Sequence, residues 1–156
     1  MSAEHRVRQL DIELPTKIAQ RGGVVPCVQD GNILYVSGHG PEDNEGNLLF
    51  RGRLGAEVSA EEGYQAARAT GVQLLRSVRD HVGSLNRVDR IIKLLALVNS
   101  ADDFHDQPYV VHGCSDLMVE VFGERGKHAR SALGTSNLPL NQPVEIEMIV
   151  RLRSEG

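Results

Sequence analysis

The plainest pattern in the chain is an alternation near its C-terminal end. Val144, Ile146, Met148, Val150 and Leu152 fall on one side of an extended segment, and Glu145, Glu147, Ile149, Arg151 and Arg153 fall on the other. That period of two predicts a strand with one face in a core and the other charged. Immediately before it, His128 to Ala132 followed by Leu138-Pro139 predicts a shorter strand and a turn. Residues 128–147 therefore read as two strands joined by a turn, with Arg130 on the first and two acids on the second.

Helical periods dominate the middle of the chain. Ser59-Ala60-Glu61-Glu62 has the spacing of a capping box, and Tyr64, Ala67, Gly71, Leu74, Leu75, Val78 and Val82 recur at helical intervals until Gly83. A second helix is predicted from Asp106–Pro108 to Gly123, with Val110, Cys114, Leu117, Met118, Val121 and Phe122 on one stripe. His112-Gly113 inside it suggests an irregular first half. Between the helices, the apolar run over 88–98 predicts a strand covered on both faces.

Towards the N-terminus the signals are shorter. Residues 6–14 alternate loosely and stop at Pro15, which predicts a strand or arm. Residues 24–28 and 32–37 read as a hairpin around Asp30-Gly31-Asn32, and the Gly-, Asn- and acid-rich stretch to Gly55 reads as a long loop. The order of elements describes a single α+β domain over residues 1–156, a mixed sheet with two helices on one face. The other face, carrying the charged side of residues 145–153, is left without helices. Covering it calls for another subunit.

Composition narrows the function classes. A chain of 156 residues is long enough to bury roughly two-thirds of its unfolded surface without a disulfide or metal. With 21 acids against 17 Lys and Arg, no basic run, and few aromatics to stack on bases, a nucleic-acid partner is not expected. Cys27 and Cys114 stand far apart in apolar patterns and read as buried free thiols of a reducing compartment. Residues 1–6 lack the apolar core of a signal peptide and no apolar run reaches bilayer length, so a cytoplasmic protein without a membrane partner is expected. The six histidines, His105 and His112 among them, follow no compact ligand spacing, and no metal is expected.

The candidate chemistry centres on Arg130 and the acids that follow it. A guanidinium and a carboxylate sharing a partly dry cleft would make a site for a small acidic molecule, since the planar fork matches a carboxylate's two oxygens. The plainer alternative is a surface ion pair on a solvated edge. Glu145 and Glu147 both qualify as the base that orients a water, and the sequence does not separate them. Gly38 permits close ligand approach. His39 reads either as part of an anion nest or as a solvent-facing loop residue. Ser37-Gly38-His39 lacks the strand-turn-helix setting of a nucleophile elbow, so Ser37 reads as a hydrogen-bonding wall.

These residues together resemble the RidA (YjgF) family of enamine/imine deaminases. The resemblance runs through Gly31-Asn32, Tyr35-Val36-Ser37-Gly38, the first helix, the buried strand, Asp103-Phe104, Phe122-Gly123, Ala129-Arg130-Ser131-Ala132, Leu138-Pro139 and Val144-Glu145-Ile146-Glu147. It covers residues 22 to 152, and its most specific feature is the A-R-S-x segment whose arginine stands fifteen positions before the first glutamate of E-x-E. Val98-Asn99-Ser100-Ala101, Ser115-Asp116-Leu117 and Val119-Glu120-Val121-Phe122-Gly123 are similar to a divergent, less characterised branch.

The resemblance implies a chorismate-mutase-like fold, a homotrimer whose sheets form a central barrel, and a cleft at each subunit interface. It implies that Arg130 clamps a substrate carboxylate with the backbone N–H of Gly38, and that Glu145 positions the attacking water. The implied reaction is hydrolysis of a 2-imino or 2-enamino acid to a 2-keto acid and ammonia, with no cofactor. Three positions depart from the family pattern: Ala132 stands for a cysteine, Val24 for a tyrosine, and an asparagine of the second helix region has no clear counterpart. Ala132 and Val24, with Ser37 and His39, are expected at the substrate wall. A non-catalytic trimeric module that binds small carboxylates is the competing expectation, and a ribonuclease is disfavoured by the net charge of −4.

Overall fold

The structure, a computed structural model, describes residues 1–16 and 22–154. Its elements are helix α1 (Ala3–Gln9), strands β1 (Cys27–Asp30) and β2 (Ile33–His39), helix α2 (Ala60–Val82), strand β3 (Val88–Asn99), helix α3 (Gln107–Phe122), and strands β4 (Ala129–Thr135) and β5 (Val144–Leu152). One mixed sheet has the order β1-β2-β5-β3-β4. Among the described strands only β3 and β4 run parallel, connected through α3, and parallel neighbours require such a crossover. This is the mixed α+β sheet with α2 and α3 on one face that the periodicities predict.

Local chemistry accounts for most element ends. Ser59 accepts from the Glu62 backbone while the Glu62 carboxylate accepts from the Ser59 N–H, closing a capping box, and Gly83 at φ 82° ends α2 in the left-handed region. Strand β5 buries Val144, Ile146, Met148, Val150 and Leu152 beneath the helices. Its alternate residues face the side of the sheet without helices. The first hairpin pairs Cys27 with Val36 and Asp30 with Ile33 across Gly31-Asn32, so β1 begins at Cys27 and leaves Val24 and Val25 outside the strand.

Four expectations need correction. Residues 6–14 do not form a strand: Ala3–Gln9 is helical because Ser2 caps the His5 N–H and Ala3 and Val7, four apart, bury one face. Strand β3 is not covered on both faces; Ile91, Leu94, Ala96 and Val98 are buried, while Ile92, Leu95 and Leu97 stay partly open on the helix-free side. Helix α3 is regular through His112-Gly113. A Cβ on Gly113 would lie 2.0 Å from the Tyr64 carbonyl oxygen, so the glycine serves the close approach of α2 and α3 rather than a break.

The fourth correction concerns residues 128–147. Strands β4 and β5 are not neighbours, because β3 lies between them and pairs with both. The connection therefore crosses the end of β3, where Asn99 secures it. The Asn99 N–H donates to the Pro143 carbonyl at 2.8 Å, and its Nδ2 donates to Asn141 Oδ1 and the Gln142 carbonyl, each at 3.2 Å.

Candidate functional site

Glu145 sits on the helix-free face of β5, opposite Leu97 of β3. Its carboxylate covers Gly38: a Cβ there would lie 2.9 Å from Oε2. Gly38 falls where the β2–β5 register shifts between Val36 and His39, and the absence of a side chain lets the acid lie close against the bulged backbone. Oε1 accepts from Gln142 Nε2 at 3.0 Å, which orients the carboxylate. Gln142 is itself buried, and its Oε1 occupies the space a Cβ on Gly40 would take, at 2.0 Å.

A cleft of 240 Å³ opens beside this carboxylate, walled by Val24, Ser37, Gly38, His39 and Glu42 on one side and by Pro139, Leu140, Gln142 and Glu145 on the other. A smaller recess of 70 Å³ adjoins it, lined by Gly38, Leu95, Leu97, Glu145 and Glu147. Five residues singled out from the sequence, Val24, Ser37, Gly38, His39 and Glu145, thus meet in one cleft. The two glutamates differ in surroundings: Glu145 reaches both cavities and has a side-chain donor, whereas Glu147 is exposed and borders only the smaller one. That separates two acids the sequence left equivalent.

Ser37 lines the cleft and hydrogen-bonds within its wall, whereas His39 fits neither of the two readings the sequence offered. Ser37 Oγ donates to the Val25 carbonyl at 2.6 Å, which ties down the segment carrying Val24. His39 is neither a nest nor a solvent-facing loop residue. It is buried at the end of β2, with Nδ1 2.6 Å from the Ser37 carbonyl oxygen and Nε2 2.7 Å from Ser77 Oγ on α2. A carbonyl only accepts, so Nδ1 carries a proton and donates to the Ser37 oxygen.

Arg130 lies elsewhere. On β4 it stands beside Leu94 of β3, three positions from the Leu97 that Glu145 faces. Cross-strand partners share a face and successive residues alternate, so an odd separation puts Arg130 and Glu145 on opposite faces of the sheet within one copy of the chain. Ala132 shares Arg130's face and does not reach the Glu145 cleft.

The guanidinium instead turns towards α3. Arg130 Nη1 donates to His112 Nδ1 at 3.1 Å and to Ser115 Oγ at 3.2 Å. Ser115 Oγ also lies 3.0 Å from His128 Nε2, and His128 Nδ1 lies 2.6 Å from the Gly126 carbonyl oxygen. Burial, reinforced by the neighbouring Arg130 charge and opposed by the Gly126 hydrogen bond, lowers the His128 pKa from its ordinary value. Among the described residues Arg130 forms no ion pair, so its charge faces only neutral acceptors. Sequence reasoning missed Gln142, Gly40, Ser115 and His112; only the i, i+3 spacing of His112 and Ser115 on α3 placed that last pair on one helix face.

Among the described residues no three His, Cys, Asp or Glu side chains converge as metal ligands. No described helix is long and apolar enough to cross a membrane.

Comparison with known proteins places this architecture. Residues 4–152 match the profile of the family described as "YjgF/chorismate_mutase-like, putative endoribonuclease". Protein TCP17 of Trypanosoma cruzi is 40% identical over 149 residues, covering 95% of this chain and 92% of that protein. Among solved structures, protein Atu1372 of Agrobacterium tumefaciens superposes with a TM-score of 0.87 at 36% identity, covering 96% of this chain and 91% of that one. A Shewanella oneidensis protein carrying the endoribonuclease description superposes at 0.91 with 31% identity, covering 97% of this chain and 100% of that one. The chain belongs to the YjgF/chorismate-mutase-like family, in a divergent branch.

Proposed function

We propose that the protein hydrolyses reactive 2-imino or 2-enamino acids to 2-keto acids and ammonia, in clefts formed between copies of the chain in a homotrimer. The observation that carries this reading is the Glu145 carboxylate, steadied by Gln142 and laid over Gly38 at the head of a cleft. A carboxylate so held orients a water for attack on the imine carbon and takes its proton. The resulting aminoalcohol then loses ammonia. Such imines are already electrophilic, so positioning and one proton transfer suffice, and the chemistry calls for no cofactor.

The substrate carboxylate falls to Arg130, whose charge no described residue pairs. Because Arg130 and Glu145 face opposite ways in one chain, the arginine of one copy serves the glutamate of the next. The helix-free face supports such an assembly: Val28, Tyr35 and Leu133 are 55%, 49% and 51% exposed in the single chain, and Leu95 and Leu97 lie open between them. Sedimentation is expected to give three times the 17.1 kDa of one chain.

The test is release of ammonia and keto acid from freshly generated imines. Glu145→Gln and Arg130→Ala are each expected to lose on the order of 10²-fold or more in kcat/KM; rates equal to wild type in both variants would end the reading. A non-catalytic trimer that binds small carboxylates is the second reading, favoured by the apolar Val24 and Ala132 where a polar wall is expected. Calorimetry showing keto-acid binding without turnover, abolished in Arg130→Ala, would establish it. Salt-dependent RNA cleavage lost in Glu145→Gln would replace both.

A further inference from the structure

The cluster around Arg130 contains more than a carboxylate clamp needs. Its hydrogen bonds have a defined direction: the Gly126 carbonyl can only accept, so His128 Nδ1 carries the ring proton and Nε2 presents a lone pair. Ser115 Oγ must then donate to Nε2 while accepting from Arg130 Nη1. A hydroxyl, a neutral imidazole aligned with it and a backbone carbonyl that fixes the ring make up an acid-base relay. Its contact atom lies 3.2 Å from the guanidinium nitrogen. Ser115 and Arg130 are both only half-buried, so a bound molecule can reach them together.

Resting on the proposed deaminase reading, we infer that Ser115 and His128 catalyse the enamine-to-imine step that precedes hydrolysis. With the substrate carboxylate on Arg130, Cβ and the nitrogen of a 2-enamino acid lie near Ser115 Oγ. One proton leaves nitrogen and one arrives at Cβ. The N–H pair becomes the C=N π bond and the C=C π pair becomes the new Cβ–H bond. Ser115 Oγ is the contact atom for both transfers, and His128 Nε2 holds the proton between them. The imidazole ends neutral, as it began, and no oxidant or reductant takes part. One copy of the chain thus manages the proton shift while Glu145 of another supplies the water.

Two substrates separate this role from a merely structural tie between β4 and α3. The enamine 2-aminocrotonate, generated in deuterium oxide by a pyridoxal-phosphate dehydratase, must be protonated at Cβ. The imine of phenylglycine, generated by an amino-acid oxidase, has no Cβ hydrogen and needs only hydrolysis. For wild type, the 2-oxobutyrate product is expected to carry deuterium at C3 with one handedness. Ser115→Ala and His128→Asn are expected to lose on the order of 10²-fold with 2-aminocrotonate, a far larger loss than with the phenylglycine imine, and to yield racemic C3 deuteration. Equal losses with both substrates, or none with either, would overturn the relay and leave the hydrolase reading standing. A wild-type protein inactive on both substrates would overturn the hydrolase reading and the relay together.

Discussion

Gln142 Nε2 donates to Glu145 Oε1 at 3.0 Å while Gln142 Oε1 fills the space above Gly40. One amide therefore couples the absence of a side chain at position 40 to the aim of a carboxylate at position 145. Gly40→Ala would place a Cβ 2.0 Å from that oxygen and push the amide off Glu145. Both Gly40→Ala and Gln142→Ala are expected to fold, and to lower kcat/KM for imine hydrolysis by roughly 10-fold or more through misorientation of the carboxylate. Steady-state kinetics with circular dichroism as the folding control checks this.

Opposite placement of Arg130 and Glu145 makes a mixing experiment decisive. Arg130→Ala and Glu145→Gln chains, each inactive alone, are expected to regain activity when unfolded together and refolded. If each site draws its arginine and its glutamate from different copies, random assembly restores about a quarter of the sites. Activity that never recovers on mixing would place both residues of a site in one chain.

His128 ties stability to pH. Because burial lowers its pKa in the fold, the unfolded chain takes up a proton near the ordinary value of 6.5 while the folded chain resists it. The unfolded state then binds more protons, so stability rises with pH across that window and falls as the pH drops below about 6.5. Urea unfolding at pH 5.5 and 7.5 is expected to show a smaller midpoint at the lower pH. His128→Gln should flatten that difference.

Cys114 carries the reverse dependence. Burial in the helix interface pushes its thiol from 9.0 up to about 12, so the unfolded chain releases a proton that the fold retains. Stability is therefore expected to decline as pH rises beyond about 9. In a Cys27→Ala background, a thiol reagent at pH 8 should label Cys114 only as fast as the protein unfolds, read by mass spectrometry with and without denaturant.

Gly113→Ala tests the helix pair. Its Cβ would meet backbone atoms of Tyr64 and Arg68 at 2.0 to 3.0 Å, and backbone cannot swing aside as a side chain does. Separation of α2 from α3 is expected to cost about 1–3 kcal/mol or more, measurable as a lowered denaturation midpoint.

What the sequence determined by itself is what local periodicity and local chemistry encode. The capping box at Ser59 and Glu62 specifies where α2 starts, the alternation from Val144 to Leu152 specifies which face of β5 is buried, and Gly31-Asn32 specifies the first hairpin. The motif residues Gly38, Ser37, Val24, His39 and Glu145 were legible as a group, and they do share a cleft. Only the tertiary structure decided that β3 inserts between β4 and β5, that this parity turns Arg130 and Glu145 to opposite faces, and that Gln142 rather than any motif residue holds the glutamate. Strand order and register are set by partners distant along the chain, and a shift of one residue reverses every side chain, so no local pattern could contain them.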